Sequence, residues 1–110
     1  MYKIENNNIT LTRGDSMIIQ VSLLKDDEPY VPAPGSSVRF AMKRKYSDPD
    51  SEVVLVKTIP IDTLLLKFEP EDTKPLPMKS KYVYDIQLTD ETGFVDTFIE
   101  GKFIVGEEVI

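Results

Sequence analysis

An all-β fold is what this sequence predicts, on three observations. Apolar residues recur at every second position in several runs, chain breakers fall at short and regular intervals, and the helical period of 3.6 is subordinate throughout. Successive strand side chains face opposite sides of a sheet, so a period of two marks strands with one apolar and one polar face.

Taken in order, Ile9 to Thr12 and Met17 to Leu24 predict the first strands, divided by Arg13-Gly14-Asp15. Asp26-Asp27-Glu28-Pro29, with Pro32, Pro34 and Gly35, predicts a long loop. Val38, Phe40 and Met42 then alternate with Arg39, Ala41 and Lys43. Ser47-Asp48-Pro49-Asp50 predicts a turn before a strand over Val53 to Ile59, which Pro60 ends. Leu64, Leu66 and Phe68 alternate with Leu65, Lys67 and Glu69, and Tyr82, Tyr84, Ile86 and Leu88 with Val83, Asp85, Gln87 and Thr89. Asp90-Glu91-Thr92-Gly93 predicts a hairpin loop, followed by strands over Phe94 to Ile99 and Lys102 to Val105. Seven to nine short strands at this spacing predict a single domain over residues 1–110, an antiparallel β-sandwich or barrel.

One segment departs from the period of two. Pro70, Pro75 and Pro77 forbid a strand, while Pro70 followed by Glu71 and Asp72 suits the first turn of a helix. One short helical turn is therefore predicted near residues 70–76, crossing between the two sheets. Immunoglobulin variable domains have a similar Glu-Asp-Thr turn before a strand with paired tyrosines. By that analogy the sandwich is immunoglobulin-like, although the cysteine pair and the core tryptophan are both missing here.

Composition narrows the function. Hydrophobic residues make up 41% and charged residues 29%, an ordinary globular mix. With 13 Lys and Arg against 19 Asp and Glu, the formal charge of −6 repels phosphate backbones, so nucleic acid is not an expected partner. Lys43-Arg44-Lys45 reads as a solvated strand end, not an anion site. No apolar run is long enough to span a bilayer, and Met1-Tyr2-Lys3-Ile4-Glu5-Asn6 lacks the apolar core of a signal peptide, so neither membrane nor signal-directed export is expected.

Histidine and cysteine are absent, which removes Ser-His-Asp and Cys-His catalysis and the metal sites built on those ligands. None of the five glycines has a phosphate-cradling spacing. Asp48, Asp50 and Glu52 alternate as calcium ligands do, but the segment has too few oxygens and no glycine turn, so an acidic turn is the reading. Arg13-Gly14-Asp15 matches an adhesion tripeptide, yet Gly14 and Asp15 are also what a turn between strands needs. No enzyme activity and no cofactor is expected.

The order of motifs carries a resemblance. Ile9-Thr10-Leu11-Thr12-Arg13-Gly14-Asp15-Ser16 is followed by Asp27-Glu28-Pro29-Tyr30 and by Val38-Arg39-Phe40-Ala41-Met42-Lys43. Glu69-Pro70-Glu71-Asp72-Thr73 and Leu76-Pro77 then precede the tyrosine strand, and Gly101-Lys102-Phe103-Ile104-Val105 with Glu107-Glu108-Val109 closes the chain. Nearly the whole chain resembles a family of small phage and prophage tail-region proteins of Gram-positive bacteria, similar to the N-terminal domain of upper baseplate proteins. Met78-Lys79-Ser80-Lys81 departs from it, since relatives commonly place a glycine before the tyrosine strand.

The resemblance implies a non-enzymatic structural module of a phage tail or baseplate. It would contact other tail proteins and itself, in the virion or in the bacterial cytoplasm during assembly. The alternative is a ligand-binding β-sandwich for cell-wall carbohydrate or another host-surface ligand, which requires Tyr30 and Tyr46 to lie together. Candidate interface residues are the apolar side chains on polar faces, Ile18, Leu24, Leu65 and Val83, with the loop residue Tyr30.

Overall fold

The computed structural model describes residues 1–109. The chain runs β1 (Tyr2–Glu5), β2 (Asn8–Thr12), β3 (Met17–Gln20), β4 (Leu24–Lys25), β5 (Glu28–Pro29), β6 (Ser37–Lys43) and a 3₁₀ turn (Asp50–Glu52). It continues through β7 (Leu55–Ile59), β8 (Leu65–Phe68), α1 (Pro70–Thr73), β9 (Lys81–Thr89) and β10 (Val95–Gly106). The all-β expectation holds, with the helical turn where the prolines place it.

Six strands form the main sheet in the order β1-β2-β10-β9-β6-β7, while β3–β8 and β4–β5 are separate antiparallel pairs. Two corrections follow for the predicted sandwich of seven to nine antiparallel strands. Ten strands lie among the described residues, and β2 runs parallel to β10, with Ile9 beside Phe103 and Leu11 beside Val105. Side-chain alternation is the same in parallel and antiparallel strands, so pairing direction leaves no trace in it.

The extra strands come from short hairpins of low hydrophobicity. Asn6 and Asn7 have φ of 50° and 67°, and Asp26 and Asp27 have 52° and 63°. Two consecutive left-handed residues make the tight turn whose twist matches antiparallel partners, and Asn and Asp tolerate that region best among residues with a side chain. These turns create β1–β2 and β4–β5. Conversely, the two predicted strands over 94–105 are one, β10, carrying a bulge at Phe98 between Thr97 opposite Gln87 and Ile99 opposite Ile86. The extra residue lets Phe98 and Ile99, though adjacent, both pack against the core.

Met17, Ile19, Leu66 and Phe68 of the β3–β8 pair cover the inner face of the main sheet. Phe40, Phe68 and Phe103 join the two layers, with Phe68 edge-on to Phe40 at 5.2 Å and 5.4 Å from Phe103. All three rings are excluded from solvent, and truncating such a ring to alanine costs about 3–5 kcal/mol. α1 closes one flank: Asp72 accepts the Glu69 N–H at 2.8 Å and the Lys57 ammonium at 2.8 Å, and buried Thr73 accepts the Gly14 N–H at 2.8 Å. A side-chain oxygen that caps an otherwise unpaired amide in this way holds the first turn of a helix far too short to stand alone.

Candidate interaction surfaces

The five candidate residues fall in three places. Ile18 and Leu65 share the outer face of the β3–β8 pair: Ile18 stands opposite Lys67, Gln20 opposite Leu65, and the two apolar side chains are diagonal neighbours. Ile18 is 55% exposed and Leu65 half-buried. No further strand extends this pair among the described residues. Beyond Gln20 the chain stays bonded to the segment that leads into β8. The Gln20 side-chain amide bonds the Thr63 carbonyl at 2.9 Å, and the Val21 N–H bonds the Leu64 carbonyl at 2.9 Å.

Leu24 and Tyr30 belong instead to the β4–β5 hairpin at one end of the molecule. Leu24 is exposed opposite Pro29. Tyr30, expected as an exposed loop contact, is half-buried: its ring packs 5.3 Å from Phe98, and the Lys25 ammonium sits 5.5 Å from its centroid. A bulge partner of this kind has no signature in a loop sequence.

Val83 lies on the opposite, outer face of the main sheet, between Lys43 and Lys102. It borders a shallow groove of about 590 Å³ with Tyr46, Val56, Ala41 and a polar floor. There Arg39 donates to the Gln87 side-chain carbonyl at 2.7 Å, Gln87 donates to Asp85 at 3.2 Å, and Lys43 bonds Asp50 at 3.0 Å and the Asp48 carbonyl at 2.9 Å. Burial, with the Glu100 and Asp85 carboxylates adding to it, holds the Tyr46 phenol above its ordinary value. Tyr30 and Tyr46 stand on opposite sides of the sheet, Tyr30 against the core and Tyr46 in the outer groove, so the two-tyrosine platform does not form.

Arg13-Gly14-Asp15 is turned into the fold. Arg13 donates to the Leu76 carbonyl at 2.8 Å, to Glu108 at 2.5 Å and to the Lys74 carbonyl. Lys74 also bonds Glu108, at 3.0 Å. The Lys74 hydrogen bond, with Arg13 contributing, holds the Glu108 carboxyl below its usual range. An arginine so engaged ties the turn before β3 to the segment after β10 and is not displayed to a receptor.

Among the described residues no group of three or more acidic side chains is arranged to hold a metal ion, and no helix is long and apolar enough to cross a membrane. No family model, curated protein or solved structure matches the chain. The resemblance to phage tail-region proteins therefore stands on its sequence motifs.

Proposed function

We propose that this chain is a non-enzymatic assembly module of a phage or prophage tail or baseplate, working through protein–protein contacts in the virion or in the host cytoplasm during assembly. The observation that carries the assembly part is the outer face of β3–β8. Ile18 and Leu65 sit together there on a two-stranded layer whose edges pair with no further strand among the described residues, and such edges invite pairing with another chain. A second copy is the simplest occupant of that face. The phage setting rests on the motif resemblance. The carboxylates lining the outer groove, Asp50 and Asp85, each face a base, Lys43 and Arg39, which favours structure over acid–base chemistry.

We infer in addition that the two layers form an immunoglobulin-like sandwich. The order β10-β9-β6-β7 suits the G-F-C-C′ sheet of a variable-type domain, β3 and β8 take the places of B and E, and α1 lies on the E-to-F connection. The departure is at the tyrosine corner: the buried Tyr82 hydroxyl near the start of β9 has no hydrogen-bond partner among the described residues.

Light scattering across a concentration series tests the assembly reading. The native chain is expected to give a discrete, concentration-stable oligomer, and the pair Ile18→Gln with Leu65→Gln a folded monomer. A native chain that stays monomeric at every concentration overturns self-assembly through β3–β8. The groove beside Tyr46 favours a second reading, capture of a polar ligand such as a cell-wall glycan, because an exposed ring beside hydrogen-bonding groups suits a sugar face. Titration with cell-wall fragments should then shift the Tyr46 resonances, and unmoved resonances sink that reading.

A further inference from the structure

We propose that the end of the molecule bearing the β4–β5 hairpin, the β7–β8 turn and the β9–β10 turn is a docking surface for a partner protein with an apolar centre ringed by lysine and arginine. This rests on the assembly reading above and adds to it a second surface and the chemistry of its partner.

Strand register brings these segments to one end. Ser37 at the start of β6 stands beside Thr89 at the end of β9, and Thr89 beside Val95 at the start of β10. Ile59 closes β7 opposite Val38, and Gln20 closes β3 opposite Leu65. The loops that leave these strand ends touch. Tyr30 packs on Phe98, and Gly35 is so close to Glu91 that a Cβ there would lie 3.2 Å from the Glu91 Cβ. Four apolar side chains project from this end: Leu24 is 57% exposed, Val31 82%, Phe94 67% and Val95 53%. Single exposed apolar residues are ordinary; four on one set of touching loops are not.

Charge identifies the occupant. The segments 21–36, 60–64 and 89–96 hold seven carboxylates and one base, Lys25, a local charge of −6 that equals the formal charge of the whole chain. The rest of the chain is balanced, with twelve acidic and twelve basic residues. Asp26, Asp27 and Glu28 lie in the β4–β5 hairpin, Asp62 in the β7–β8 turn, and Asp90, Glu91 and Asp96 around the β9–β10 turn. Among the described residues, none of these seven forms an ion pair, whereas seven of the other twelve do. Lys25 is itself drawn over the Tyr30 ring. An uncompensated acidic rim around an apolar tip repels a second copy of itself, nucleic acid and anionic lipid alike. It attracts a basic protein surface and gains further when the apolar centre is dehydrated.

The test uses the full chain, isotope-labelled, with three short synthetic helical peptides as probes: one mixing Leu and Lys, one Ser and Lys, one Leu and Ser. The Leu–Lys peptide is expected to move the amide resonances of Leu24, Val31, Phe94 and Val95. It should bind on the order of tenfold more tightly than either control, because both apolar and charged contacts are needed. Phe94→Ser, and separately Asp26→Asn with Asp27→Asn, should each weaken it several-fold, and added salt should weaken it further. Equal binding of the Ser–Lys peptide, shifts centred elsewhere, or no binding at all overturns the proposal. The Ile18→Gln, Leu65→Gln protein separates the two readings. It is expected to lose self-association while binding the Leu–Lys peptide unchanged.

Discussion

The hydroxyl of Tyr84 donates to the Asn7 carbonyl in the β1–β2 turn at 2.5 Å, and its ring reaches there over Gly101 on the neighbouring strand. A Cβ at residue 101 would lie 2.2 Å from the Asn7 carbonyl oxygen and 2.8 Å from the Tyr84 ring, so only glycine fits. Gly101→Ala should therefore lower stability by about 1–3 kcal/mol, the range for overpacking, read as a shift of the urea midpoint. Burial, with a smaller contribution from Tyr46, pushes the Tyr84 phenol from 10.0 up to about 12. The folded value lies above the unfolded one, so the stability gained from the neutral phenol is complete below pH 10 and is lost as pH rises toward 12. Tyr84→Phe should flatten that alkaline loss, at a cost of about 0.5–1.5 kcal/mol near neutral pH. An unchanged alkaline slope in the variant would assign the loss to other groups.

Lys79 shows how a departure in sequence becomes a strain in structure. It stands in the segment where the resembled family commonly has glycine, and it adopts φ of 67° all the same, its N–H bonded to the Val105 carbonyl at 2.8 Å. Among the described residues its one ion pair, to Glu107, is largely exposed and returns little. Lys79→Gly should raise stability by about 0.5–1 kcal/mol, the left-handed penalty less the added freedom of glycine in the unfolded chain. Lys79→Ala keeps the penalty and should give no gain, which separates relief of backbone strain from removal of the charge.

At the scale of elements, what the sequence displays is what the period of two can carry. β6, β8 and β9 are legible because Val38, Phe40, Met42, Leu66, Phe68, Tyr82, Tyr84, Ile86 and Leu88 alternate cleanly and are all buried. β1 is not, because all four of its residues are exposed and half of them charged. Ile18 and Leu65 are legible as apolar residues on polar faces, but their meeting depends on the β3–β8 register, which neither run states alone. Tyr30 misleads for the opposite reason: its ring is covered by Phe98, at the β10 bulge where the alternation breaks. Deleting Phe98 should remove that bulge and leave Thr97 opposite Gln87 and Ile99 opposite Ile86 in an unbroken ladder. The variant is expected to keep its strand circular dichroism and cooperative unfolding. It should lose the Tyr30 ring contact, worth about 1 kcal/mol beyond the area involved, with faster amide exchange in β4–β5. Deleting Glu100 instead removes the bulge the other way, placing Phe98 opposite Ile86 and turning Ile99 outward opposite Asp85, and should cost the packing of Ile99 while cooperative unfolding is kept. Loss of cooperative unfolding in both variants would mean that the bulge is a fixed requirement of the sheet.

The whole molecule is closed by the parallel pairing of β2 with β10, which joins the region around residue 10 to the region around residue 104. The sheet's inner layer is complete only when both are in place, since Ile9, Leu11, Phe103 and Val105 are all fully buried. β1 adds little to this core: its residues are exposed, and among the described residues it pairs with β2 alone. Removing residues 1–6 should therefore leave a folded domain that unfolds cooperatively, because the Asn7 carbonyl that Tyr84 needs is retained. Removing residues 1–12 deletes Ile9 and Leu11 as well. Losing a buried aliphatic side chain costs about 2–5 kcal/mol, and a domain of this size has about 5–15 kcal/mol in all. The longer deletion, which also uncovers the edge of β10, should therefore be unfolded or molten. With no tryptophan in the chain, the measurement is urea unfolding followed by tyrosine fluorescence and far-ultraviolet circular dichroism together. Coincident, cooperative transitions at an unchanged midpoint after removal of residues 1–12 would show that β10 holds its place without β2.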